Sequence, residues 1–159
     1  MLARISSGIW HTTSPARFRA ILENGAVLPE PCLPDSERWS TSGGPEWYPY
    51  LRTLGGVSLF DFRDFEPDSY RDRYPLSTWT EFIPYREEWN ASVWIEIDVG
   101  ILGRNFLAGR DLLDRWKTAK VGNRIMPDIE VPTLARSRPR PFSAPSLPVK
   151  EPRGLSRLI

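Results

Sequence analysis

The chain uses histidine once, at His11, directly before two threonines in "SSGIWHTTSPARFRAILENGAVLP". An imidazole can act as the base for a serine or cysteine nucleophile, taking its proton as the nucleophile attacks. Nothing in the sequence marks such a partner, and the plainer reading of a lone histidine at a strand end is a half-buried, hydrogen-bonded side chain. Other signatures of chemistry are missing: there is no GxxxxGK(S/T) phosphate loop, no GxGxxG, no GxSxG and no HExxH. Gly55-Gly56 reads as a bulge or tight turn. Cys32 is the single cysteine, so no intrachain disulfide is possible. One cysteine and one histidine also fall short of the nitrogen and sulfur ligands a protein zinc site requires, and no metal is expected.

The elements around His11 follow from pattern. In residues 5 to 12, Ile5, Ser7, Ile9 and His11 alternate with Trp10 and Thr12, which is strand periodicity. Ser14 then has the character of an N-cap, and Pro15 that of a first helical residue. Phe18, Ile21 and Leu22 give an apolar stripe, and Gly25 stops the helix. Residues 29 to 55, rich in Pro, Ser, Gly and Trp, carry no period and read as a long loop. "GGVSLFDF" (55 to 62) is a second strand, and a short helix is expected between Asp64 and Trp89. "SVWIEIDV" (92 to 99) sets Val93, Ile95, Ile97 and Val99 against Trp94, Glu96 and Asp98. Residues 108 to 120 read as a helix with Leu112, Leu113 and Trp116 on its apolar side. "NRIMPDIEVPTL" (123 to 134) is a strand broken by two prolines, hence an edge or kinked strand.

Size and composition fit one ordinary domain: 159 residues, with 21 basic side chains against 20 acidic ones. The balance is uneven. From Ala135 onward six basic residues (Arg136, Arg138, Arg140, Lys150, Arg153, Arg157) face one acid, Glu151, among five prolines. Residues 1–134 are therefore expected to form the folded domain and 135–159 a basic, extended arm. No apolar run approaches the ~18 residues of a membrane span, and no signal-peptide core is evident, so a soluble, cytoplasmic protein without a membrane partner is expected.

At "IWHTTSPARFRAILENGAVLP" the sequence resembles the opening of the ADP-ribosyltransferase fold, whose first strand often reads aromatic-His-x-Thr. In that family too a short helix follows, ending in Ile-Leu-x-x-Gly. The likeness is nearest to the histidine-type branch, which includes DNA-targeting ADP-ribosyl toxins and RNA 2′-phosphotransferases. It covers about 22 residues closely, with Trp10 standing where the family more often has Tyr or Phe. The resemblance implies a single α+β domain with a split, mostly antiparallel sheet and an NAD-sized cleft. It also implies transfer of ADP-ribose from NAD to a macromolecular acceptor, nucleic acid or protein; the basic arm is expected to hold an acidic or nucleic-acid substrate or to dock onto a neutralising partner protein. His11 and Thr12, with Thr13, would bind the nicotinamide riboside, and Ser58 would line the pocket. Phe60 would be a candidate stacking ring, with a core side chain the plainer reading. Among Arg17, Arg19, Arg52 and Arg63, position favours Arg17 for the pyrophosphate.

Breaking the nicotinamide glycosidic bond builds positive charge on the ribose, so such an enzyme needs a carboxylate beside it. Two strand acids qualify. Glu130, in "PDIEVPTL", is placed opposite Ile129 and Val131 and resembles the late-strand catalytic glutamate of the DNA-targeting toxins. Glu96, beside Trp94, reads more simply as a solvent-facing or cross-strand-paired acid.

Two other classes compete. Seven Trp, five Tyr and the arginine-rich arm could form a non-catalytic nucleic-acid-binding module. "RPRP" and "PSLP" could serve as polyproline ligands for a partner protein.

Overall fold

A computed structural model describes residues 5, 7–29, 33–38, 43–84, 91–102, 106–134 and 147–148. The chain is mixed α and β, built on one four-stranded antiparallel sheet. Its strands are β1 (Ile9–Thr13), β3 (Gly56–Asp61), β4 (Val93–Glu96) and β5 (Glu130–Leu134), in the order β4-β1-β3-β5. A separate two-stranded pair joins β2 (Ala26–Val27) to β6 (Leu147–Pro148). The helices are α1 (Pro15–Asn24), α2 (Tyr50–Thr53), α3 (Pro67–Arg73), α4 (Val99–Leu102) and α5 (Gly109–Ala119), with single 3-10 turns at Asp35–Glu37, Pro45–Trp47 and Trp79–Phe82. Of the arm, only Leu147–Pro148 is described; the rest of 135–159, and Cys32, lie outside the described residues.

Helix α1 forms as its local chemistry dictates. Ser14 Oγ accepts from the Arg17 amide at 3.3 Å, Pro15 opens the first turn, and Gly25 closes the helix at φ 68°. Phe18 is buried and Ile21 packs against the same core, but Leu22 is 44 % exposed and so lies off the buried stripe.

The two faces of the sheet carry different cores. Ile9, Val57, Leu59, Ile95, Ile97 and Val131 pack with Phe18 and Val27 on the α1 face. Phe60, Phe62, Tyr70, Met126 and Ile129 form the other core, edged by Trp10, Phe65, Trp79 and Trp94. Each of these large side chains, when fully buried, contributes on the order of 1.5–3 kcal/mol. Alternation therefore holds along β1, β3 and β4.

Three expectations shift. Ser7 sits in a turn at φ 75°, so the first strand starts at Ile9, and Ile5 joins the core on the opposite side from Ile9. Val99 leaves the strand: Asp98 Oδ1 accepts the Gly100 amide at 2.8 Å and α4 begins there, leaving Val99 exposed. The stretch 123 to 134 is a strand only from Glu130. Residues 127–129 form a turn, which carries Ile129 into the Phe60 core instead of onto the face of Val131. Pro132 falls on the outermost strand, where a missing N–H is tolerated.

Candidate functional site

The central seam of the sheet opens where the site forms. Strand β1 pairs with β3 only through Ile9–Asp61 and Trp10–Phe60, whereas Trp10–Thr13 pair fully with β4 and Gly56–Phe60 pair fully with β5. Continuing that register would set Thr12 against Ser58. Instead the pairing stops, and the Ser58 carbonyl accepts a hydrogen bond from His11 Nδ1 at 3.1 Å. A carbonyl can only accept, so Nδ1 carries the proton and Nε2 is the ring's acceptor.

On the opposite face of the same residue, Ser58 Oγ donates to Glu130 Oε1 at 2.8 Å. Glu130 Oε2 accepts the Met126 amide at 3.2 Å, and the Glu130 amide bonds back to the Met126 carbonyl at 3.0 Å. The carboxyl group is thus held at both oxygens at the start of β5, and its residue is 0 % exposed. Burial pushes its pKa up to about 7, against the lowering effect of the Ser58 and Met126 hydrogen bonds. Burial likewise lowers the pKa of the His11 imidazole, outweighing the opposing hydrogen bond to Ser58, so His11 is neutral near pH 7. A carboxyl group that titrates near neutrality can hold or move a proton at physiological pH.

His11 faces a cavity of about 230 Å³ between β1, α1 and β2. Thr12, Thr13, Ser14 and Arg17 share its wall with Ile21, Val27, Leu33, Arg38 and Pro84. Thr12 and Thr13 are both buried, and among the described residues the Thr12 hydroxyl and Trp10 Nε1 have no hydrogen-bond partner. A buried donor without a partner costs free energy, and a bound ligand would relieve that cost.

Of the sequence-identified residues, the structure ties His11 to the backbone carbonyl of Ser58 and Glu130 to its hydroxyl, and sets His11, Thr12, Thr13 and Arg17 around one cavity. Ser58 and Glu130 are not on that cavity's wall; they lie behind it across the sheet. The other candidates are elsewhere. Phe60 is buried and stacks on Phe62 at 5.4 Å, so it is a core ring. Arg52 binds Asp35, Arg63 binds Asp61, and Arg19 is exposed on α1. Glu96 is exposed opposite Trp10 on β4, away from the opened part of the seam. Arg38 and Pro84 on the cavity wall were not anticipated, because both come from stretches without periodicity that only tertiary folding brings to α1.

Among the described residues no group of three or more His, Cys, Asp and Glu side chains is placed to hold a metal ion, and no helix is long and apolar enough to cross a membrane. No family model, curated protein or solved structure matches the chain.

Proposed function

We propose that the protein is an ADP-ribosyltransferase-like enzyme that cleaves the nicotinamide glycosidic bond of NAD and transfers ADP-ribose to a macromolecular acceptor. The observation that carries this reading is the chain His11–Ser58–Glu130 across an opened strand seam. A ribose hydroxyl would donate to His11 Nε2, the ring nitrogen left as acceptor. The unpartnered Thr12 hydroxyl supplies a further contact, and Arg17 and Arg38 give the cavity wall its cationic groups. As the C–N bond breaks, nicotinamide leaves with the bonding electrons, and the ionised Glu130 stabilises the positive charge left on the sugar. The acceptor's lone pair then forms the new bond to that carbon, and its proton passes to Glu130 or water. Because Glu130 is enclosed, substrate entry requires the Ser58 side of the seam to widen.

The test is nicotinamide release from NAD, with and without nucleic acid or lysate protein, alongside the melting temperature with NAD. Release that requires an added macromolecule is expected. Release from NAD alone would identify a glycohydrolase. The full burial of Glu130 favours one other reading, a nucleotide-binding module without turnover, and a melting shift without release would establish it. Neither release nor a shift would overturn the NAD assignment.

A further inference from the structure

The turn that delivers Glu130 is gripped from outside by groups the proposed reaction does not use. Asp128, two residues before Glu130, takes a left-handed backbone conformation at φ 60°, which Asp and Asn adopt more readily than most residues. Its Oδ2 accepts from the Tyr74 hydroxyl at 2.8 Å and from Arg73 Nη1 at 2.9 Å. Both donors come from the C-terminal end of α3 and the residue after it, more than 50 positions away in sequence. On its other side the Asp128 carbonyl lies against Gly109 at the start of α5, so close that a Cβ there would be 2.0 Å from the oxygen. The turn is also closed from within, by the Ile129 amide on the Pro127 carbonyl at 2.7 Å and the Met126–Glu130 pair. Tyr70, Arg73 and Tyr74 near α3 and Arg110 of α5 are the ionisable groups whose fields act around this turn.

We propose that Asp128, clamped by Arg73 and Tyr74 and wedged by Gly109, is a positioning residue that aims the Glu130 carboxylate at the seam and keeps water from it. This rests on Glu130 being the reactive carboxylate. The physical reason is leverage: only Ile129 separates the two residues, so a rotation at Asp128 moves the Glu130 carboxylate directly. Misplacement of a catalytic group by about 1 Å can cost up to ~10²-fold in rate.

The test follows two readouts in the full chain: nicotinamide release from NAD, and the titration midpoint of the Glu130 carboxyl by carbon NMR of side-chain-labelled glutamate, assigned with Glu130→Gln. Asp128→Ala is expected to lower kcat about tenfold or more with KM changed less than about threefold. It should also lower the Glu130 midpoint from about 7 toward the ordinary carboxylate range as water enters. Tyr74→Phe removes one hydroxyl and no charge, so a smaller fall in midpoint there reports the clamp and not the lost Asp128 charge. Asp128→Asn, which tolerates the same backbone and keeps the Tyr74 bond, should restore most of both. Should Asp128→Ala fail to fold, Tyr74→Phe and Asp128→Asn carry the test. An unchanged midpoint in Tyr74→Phe and Asp128→Ala overturns the proposal, even if turnover falls through general destabilisation. Wild-type protein that releases no nicotinamide refutes the NAD reading, and the midpoint alone then decides the clamp.

Discussion

Asp35 and Glu130 are both carboxylates with hydrogen-bond donors on both oxygens, and they are driven in opposite directions. Asp35 accepts from the Tyr48 hydroxyl and from Arg52 at 2.8 Å, with Arg38 3.8 Å away. Those hydrogen bonds, Tyr48 first and Arg52 next, hold it below the ordinary carboxylate range. Glu130 has a hydroxyl and an amide, both neutral, and burial overrides them. The number of hydrogen bonds therefore does not decide the acidity; access to water and the charge of the partners do. Arg52 also lies over the Tyr48 ring at 4.1 Å. The Asp35 cluster, with its carboxylate held by cationic partners on a half-exposed surface, is a strap that ties the 33–38 segment to α2. The Glu130 cluster, with neutral donors and an unpartnered hydroxyl one strand away, is the kind of polar core that a fold retains for use.

The sharpest break between the two is activity. Glu130→Gln keeps the shape and removes the charge, so nicotinamide release should fall by roughly 10²–10⁴-fold, the range of a lost acid–base or charge-stabilising group. Asp35→Asn should leave it within about threefold, since a neutralised surface ion pair is worth little at a distance. Equal losses in the two variants would erase the distinction, and turnover by Glu130→Gln at the wild-type rate would shift attention to Glu96.

The pH dependence of stability should separate them next. The folded pKa of Glu130, about 7, lies above its ordinary value of 4.5, so its contribution is complete below pH 4.5 and is lost as pH rises through about 7. Glu130→Gln should therefore gain on the wild type across that window, by at most about 3 kcal/mol at pH 8, in thermal or urea unfolding. Asp35 is depressed, so its contribution is present above the ordinary carboxylate range and lost as pH falls through its lowered value. Asp35→Asn should flatten that acid limb. His11, also depressed, adds a loss of stability as pH falls below about 6.5 that His11→Gln should remove. An identical pH profile for Glu130→Gln and wild type would mean that Glu130 is not buried as an isolated acid.

Ser58 offers a finer probe, since its hydroxyl bond lowers the Glu130 pKa against burial. Ser58→Ala should move the ascending limb of the pH–rate profile up by about one unit, equivalent to one hydrogen bond to a charged group. At pH 7 the rate would then fall about fivefold and recover at higher pH. A uniform loss at every pH would show that Ser58 acts on folding and not through Glu130.

What the sequence could disclose divides along the same line. Helix α1 is legible because Ser14, Pro15 and Gly25 act on their own neighbours, and β1, β3 and β4 are legible because alternation is local. Of the seam, His11 stands out as the single histidine, whereas Ser58 and Glu130 are singled out through the family resemblance, a serine or an acid on a strand being otherwise unremarkable. Their meeting was not readable, because it depends on pairing that stops after Trp10–Phe60, a balance among four strands that no window of sequence contains. The Pro127-Asp128 turn shows why a broken strand was expected there and a turn formed: proline removes a donor, but the left-handed Asp128 is selected by Tyr74 and Arg73 from far along the chain. Arg38 on the cavity wall came from a stretch with no period at all.

The smallest expected effect concerns two hydroxyls. Thr12→Val replaces a buried hydroxyl that has no partner by a methyl group of nearly the same shape, so nothing made is lost and a desolvated group is removed. Stability should rise by up to about 1 kcal/mol, the lower end of the cost of an unsatisfied buried group. If that hydroxyl awaits the ribose, NAD affinity should fall at the same time by about three- to tenfold, one ordinary hydrogen bond. Tyr48→Phe is the mirror image: its hydroxyl already serves Asp35, so stability should drop while NAD affinity stays as it was. Melting temperature and NAD titration on the two variants give four signs. Only the crossed pattern, Thr12→Val stabler but weaker-binding and Tyr48→Phe the reverse in stability alone, is consistent with a seam kept open for ligand beside a strap that is already closed.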